Sequence, residues 1–217
     1  MLGNDIVDFQ VDEAKYHNPR FIQRVLTEQE QHYLAQSQHP NRFLWSLWAA
    51  KEACFKALQR NKPQLTFSPI TYKLSNDTLQ QLLTTNHSEN LSGEVNYKQQ
   101  NLSIKYQWPE ATVVHCLACV DFSSWPYIDS QIAHIENLSN YQQQSQAVRT
   151  LAQRLLKNHG IEADIIRPSL AMPNYDKPGP PILVNAGTQQ PLPAIISLSH
   201  DNNYLAAALY CHDFILK

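Results

Sequence analysis

The run from Arg42 to Arg60 sets Phe43, Leu44, Leu47, Trp48, Cys54, Phe55 and Leu58 on one stripe of a 3.6-residue helix, and Lys51 falls in the middle of it. An unpaired ammonium inside an apolar face is costly. Lys51 must either snorkel out along its stem or hold an anion at a buried edge. Asn41 is placed to cap this helix, and Lys62-Pro63 lies just beyond its end. Beside the stripe, Glu52 and Lys56 are four apart and share a face, with Trp48 one turn before Glu52. Alone they read as a surface ion pair. Together with Lys51 they form a carboxylate flanked by two ammonium groups, suited to gripping phosphate through a metal.

Around this helix the pattern alternates between strands and further helices. Leu2 to Phe9 is short, apolar and β-branched and reads as a strand carrying Asp5 and Asp8. Thr27 with Glu30 is a capping-box pattern that opens a helix from Glu28 to Ser37. From Leu65 to Phe122 strand-like pieces follow one another, Ile70–Leu74, Gly93–Tyr97, Leu102–Trp108 and Thr112–Val120, as expected of a small antiparallel sheet. Ser123 to Gln144 is polar and glutamine-rich and reads as a connection. A helix from Ser145 to Asn158 ends on Gly160, a natural C′ residue. Then come Ala163–Arg167, a proline-rich loop over 168–181, and β-like runs at Ile182–Asn185 and Ala194–Tyr210. Both halves thus place a long helix before strands. The expected class is α+β, with two pseudo-symmetric halves, each a long helix on a small antiparallel sheet, divided as 1–122, a linker over 123–144, and 145–217.

With 17 Lys+Arg against 19 Asp+Glu, the formal charge of −2 announces neither a nucleic-acid nor a membrane surface. No basic n-region opens the chain, and no run approaches the roughly 18 apolar residues of a membrane span, so a cytoplasmic location is expected. The four cysteines are too sparse for a disulfide scaffold. Cys116 and Cys119 form a C-x-x-C inside an apolar run with no second pair, which favours buried strand residues over a metal or redox site.

The string Trp48-Ala49-Ala50-Lys51-Glu52-Ala53-Cys54-Phe55-Lys56 resembles the W-x-x-K-E-x-x-x-K signature of the 4′-phosphopantetheinyl transferase superfamily. Gly3-Asn4-Asp5-Ile6-Val7-Asp8 resembles the G-x-D-I strand of that family, and Phe21 to Glu30 its connecting segment ending in T-x-x-E. Arg149-Thr150-Leu151, Asp176-Lys177-Pro178 and Ser197-Leu198-Ser199-His200 resemble the R-T-L, G-K-P and S-x-S-H motifs of the larger, surfactin-type branch, where they precede G-x-D instead of following it. The chain therefore reads as a circular permutation of that branch. This demands that Tyr204–Tyr210 lie beside Leu2–Val7 and that the termini nearly meet. The motif order also matches the small holo-acyl-carrier-protein synthase branch with an insertion.

The resemblance implies transfer of 4′-phosphopantetheine from coenzyme A to a serine of an apo acyl or peptidyl carrier protein, with release of 3′,5′-ADP. It implies Mg²⁺ held by Asp5 and Glu52, with Asp5, Glu52 and Lys56 as the catalytic set. Lys51, Lys56, Ser199, His200, Arg149, Thr150 and Lys177 would contact the coenzyme. Val7 stands where the surfactin-type branch often has a second carboxylate, and Tyr127–Gln146 lacks the basic tracts that precede R-T-L in the family. Glu30 would cap its helix and also lie near the metal. The expected partners are coenzyme A and the carrier, not nucleic acid or membrane, with the protein a monomer. The alternative is a non-catalytic protein that binds coenzyme A or a carrier.

Overall fold

A computed structural model describes residues 1–10, 13–85, 90–137, 140–171 and 176–212. In chain order the elements are β1 (Leu2–Asp8), α1 (Glu13–Tyr16), α2 (Pro19–Val25), α3 (Glu28–Gln36), α4 (Pro40–Gln59), β2 (Tyr72–Leu74), α5 (Asn76–Thr84), β3 (Leu91–Tyr97), β4 (Gln100–Glu110), β5 (Val113–Cys119), β6 (Ile128–His134), α6 (Tyr141–Asn158), β7 (Ala163–Ile166), β8 (Ser169–Ala171), β9 (Asp176–Pro178), β10 (Ile182–Asn185), β11 (Ile195–Asp201) and β12 (Tyr204–Tyr210). The fold is mixed α+β, with antiparallel sheets.

The first sheet runs β1-β5-β4-β3-β2, and α4 lies across it against β1 and β5. The apolar stripe of α4 supplies that contact: Leu44, Leu47, Ala50, Cys54 and Ala57 are all fully buried. The helix starts two residues earlier than the sequence indicates. Pro40, with its φ already preset, occupies the first turn behind His39, and Asn41 is no cap: its Nδ2 donates to the Phe9 carbonyl at 3.2 Å. The capping box at Thr27 and Glu30 is present, the Thr27 N–H donating to Glu30 Oε2 at 2.8 Å.

The second half builds a three-stranded sheet, β11-β12-β6, under α6, with β10-β7 and β8-β9 as two-stranded ribbons. Gly160 ends α6 as expected. At φ +67° it occupies the left-handed region, its N–H donating to the Lys157 carbonyl and that of Ile161 to Leu156, the paired bonds of a Schellman cap.

Several elements depart from the sequence expectation. The stretch read as a connection contains β6, an edge strand paired with β12 from Ile128↔Tyr210 to His134↔Tyr204. Among the described residues only one of its sides has a partner strand, and it carries polar residues at positions a central strand would fill with aliphatics. Helix α6 begins at Tyr141, not Ser145, capped by Asn140, whose side chain accepts from the Gln143 N–H at 3.0 Å. Helices α1, α2 and α5 were not legible. Short helices with few apolar residues, such as α5 with Leu79 and Leu82 buried, give little periodicity to read. The proline-rich loop holds the β8–β9 hairpin.

The halves meet along β1 and β11, which are not joined as a backbone ladder. Three N–H groups on the β1 edge donate to side chains of β11: Asn4 to Ser197 Oγ at 3.0 Å, Ile6 to Ser199 Oγ at 3.2 Å and Asp8 to Asp201 Oδ2 at 2.9 Å. An unsatisfied strand edge buried at a seam would be costly, and the alternating Ser-x-Ser-x-Asp spacing meets it. Strand β12 packs on β1 as well: Leu2 clusters with Ala208, and Ile6 with Tyr204 and Ala206. Residues 213–217, and with them the expected meeting of the termini, lie outside the described residues.

Candidate active site

A cavity of about 380 Å³ opens at this seam, walled by β1, α4, α6 and β11. Gly3 makes its innermost corner possible. A Cβ there would stand 2.0 Å from the Ala53 carbonyl oxygen and 2.6 Å from the Ala57 nitrogen, so only glycine lets β1 lie flat against α4. Asp5, two residues on and on the same face of β1, is thereby brought against Glu52 and Lys56 of α4.

The contacts in that corner are short. Lys56 Nζ lies 2.7 Å from Asp5 Oδ1 and 3.4 Å from Glu52 Oε1, and donates to Ser199 Oγ at 3.1 Å. The Ser199 hydroxyl in turn donates to Asp5 Oδ1 at 2.8 Å. Asp5 is nearly sealed off, at 4 % exposure. Burial, and after it the Glu52 carboxylate, raise its pKa to about 7 against the pull of Lys56 and Ser199. Burial works to lower the Lys56 pKa, but the two carboxylates outweigh it, and the ammonium is held above its ordinary range. Two carboxylates that repel each other across one cation are a donor set for a hard, oxygen-seeking metal. Among the described residues, no cluster of three or more His, Cys, Asp and Glu is arranged to hold one.

Deeper along β11, His200 Nδ1 lies 3.1 Å from Gln144 Oε1, and its ring stands edge-on to Tyr141 at 5.1 Å. Burial first, then Lys56 and Arg167, push its pKa down. Arg149 lines the same wall and donates from Nη1 to the Ile165 carbonyl at 2.9 Å.

The structure therefore brings together Asp5, Glu52, Lys56, Ser199, His200 and Arg149, all lining one cavity. It does not bring Lys51, Thr150 or Lys177 to it. Lys51, expected at the phosphates, is fully buried on the other side of α4. Its Nζ lies 2.6 Å from Glu30 Oε2 and donates to the Val25 carbonyl at 2.9 Å. Glu30 is thus a structural acid: it caps α3, pairs with Lys51 and accepts from the Leu74 N–H at 3.3 Å, away from the Asp5–Glu52 corner. Thr150 turns its hydroxyl back to the Gln146 carbonyl and lines a shallow pocket on another face of α6. Lys177 sits on β9, outside the cavity wall. Asp8 is buried at the strand end and accepts from the Gln10 N–H at 3.2 Å.

Arg167, Trp45 and Lys15 also line the cavity and were not singled out from the sequence. Arg167 had a readable sign, a lone arginine between a β-run and Pro168, but nothing in the sequence shows that β7 delivers it here.

A family comparison places residues 1–116, just over half of the chain, within a known family. The chain belongs to the 4′-phosphopantetheinyl transferase superfamily. The matched region spans β1, α4 and most of β5, and so covers the Asp5–Glu52–Lys56 corner. Membership makes phosphopantetheinyl transfer the class of chemistry. A comparison with curated proteins returns no match. No helix among the described residues is long and apolar enough to cross a membrane.

Proposed function

We propose that this transferase moves 4′-phosphopantetheine from coenzyme A to a serine hydroxyl of an apo carrier protein, releasing 3′,5′-ADP. The observation that carries the reading is the Asp5–Lys56–Glu52 corner, with Ser199 bonded into it, at the end of a cavity whose other wall is lined by arginines. Asp5 and Glu52 would hold Mg²⁺, which supplies charge neutralisation on the pyrophosphate oxygens when bound. Lys56, already drawn between the two carboxylates, is the ammonium within reach of a phosphate entering that corner. The serine oxygen of the carrier bonds to the β-phosphorus, and the bond to the bridging oxygen breaks. The 3′,5′-ADP leaves with the electron pair. Glu52, at 28 % exposure the more open of the two carboxylates, receives the serine proton. His200 and Arg149 line the nucleotide end, where 3′,5′-ADP is held.

The circular permutation is supported by β12 packing on β1 and by the parallel pairing of Ser197, Ser199 and Asp201 with the β1 edge. One chain supplies both walls of the cavity, so a monomer suffices. Val7, apolar where a further carboxylate could stand, favours the second reading, a protein that binds coenzyme A without turnover.

Release of 3′,5′-ADP separates the two. Asp5→Asn and Glu52→Gln are expected to lower that release by on the order of a hundredfold or more while leaving the fold intact. Full activity in Glu52→Gln would sink the metal assignment.

A further inference from the structure

Three guanidinium groups gather where the main cavity continues past Leu198 into a smaller one of about 120 Å³. Arg167 lines both spaces, Arg149 the larger and Arg60 the smaller. Arg60 is fixed by two backbone carbonyls, Leu2 at 3.1 Å and Pro181 at 3.1 Å, and Arg149 by that of Ile165. Carbonyls orient a guanidinium without neutralising it. Among the described residues none of the three arginines forms an ion pair with a carboxylate. Burial lowers the Arg60 pKa to about 10, with Arg167 adding to the effect, and burial lowers that of Arg167, where Arg149 also works downward against the raising effect of Tyr141. Like charges held together at a partly buried seam, with no acid among them, form a site that a multiply charged anion would relieve.

We propose that Arg167 binds the terminal phosphomonoester of the donor nucleotide, between Arg149 and Arg60. The assignment rests on the transfer reading for the identity of the donor. A phosphomonoester carries close to two negative charges near neutral pH, whereas each diester-type phosphate of the pyrophosphate carries one, so the monoester gains most from three guanidiniums. Arg167 lies outside every motif read from the sequence, and it places positive charge where the segment before Arg149 has none: Tyr127–Gln146 contains no Lys or Arg. Its two-cavity position also makes it the residue that tells coenzyme A from the same molecule without the terminal phosphate.

Titration calorimetry on the intact chain with 3′,5′-ADP and with AMP tests this without requiring turnover. The unaltered protein should prefer 3′,5′-ADP, and Arg167→Ala should weaken that ligand by about ten- to a hundredfold while leaving AMP affinity as it was. Arg167→Lys, which keeps the charge but loses the fork, should fall between, and serves if the alanine variant unfolds. Equal loss for both ligands, no loss for either, or no binding of 3′,5′-ADP by the unaltered protein would each overturn the proposal. A protein that transfers nothing yet loses its preference in Arg167→Ala would retain the phosphate site and refute the transfer reading. A protein that transfers but binds both ligands equally well with and without Arg167 would do the reverse.

Discussion

Lys51 and Lys56 lie on the same helix, carry the same charge and have opposite duties. Lys56 points into the cavity, where Asp5, Glu52 and Ser199 hold it without sealing it off. Lys51 is shut away with Glu30, and its pKa is drawn down by burial, against the raising effect of that carboxylate. The sequence placed Lys51 correctly at the centre of the apolar stripe but offered an anion as its partner in general terms. The actual anion is a glutamate 21 residues earlier in the chain, which only the packing of α3 on α4 brings within 2.6 Å. Removing one member of such a pair leaves the other charged and unpaired in the interior. Lys51→Met is therefore expected to destabilise the protein by about 3–5 kcal/mol, read from denaturant unfolding. The molecules still folded should bind coenzyme A with ordinary affinity. Ordinary stability with impaired coenzyme binding would instead return Lys51 to the phosphates.

Strand β1 and helix α4 are the pair on which the site depends, and their approach is set by Gly3. Any side chain at that position meets the α4 backbone, which cannot yield as a flexible side chain would. Gly3→Ala should push the two elements apart and cost about 1–3 kcal/mol or more, lowering the thermal midpoint and loosening the contact of Asp5 with Lys56. An unchanged midpoint would contradict this packing. The elements themselves were legible where periodicity is strong: β1, α4, the later strands of the first sheet and the Gly160 end of α6 all stand close to where the residue pattern puts them. Strand β6 was not, because an edge strand with a polar face reads as a loop. Nor was the inward path of Arg167, since β7 reaches the cavity only through the packing of α6 and the ribbons around it. Asp5, Glu52 and Lys56 could be nominated because the G-x-D and W-x-x-K-E-x-x-x-K resemblances name them, while spacing put Glu52 and Lys56 on one helix face. Thr150 and Lys177 could not be excluded in the same way, because their neighbours come from distant parts of the chain.

At the scale of the molecule, two α+β halves share one seam, and the seam is the site. Ser197, Ser199 and Asp201 satisfy the β1 edge, and Ser199 also reaches Asp5, so the bonds that join the halves also arrange the Asp5–Glu52–Lys56 corner. One half contributes the carboxylates and Lys56, the other His200, Arg149 and Arg167, which is why a motif match confined to residues 1–116 accounts for only one side of the cavity. The most direct test of transfer is the intact mass of an apo carrier protein incubated with this protein, coenzyme A and Mg²⁺, with and without a chelator. The account predicts a mass gain of one phosphopantetheine group that the chelator abolishes. No gain across fatty-acid and synthase-type carriers, despite measurable binding of coenzyme A, would contradict it.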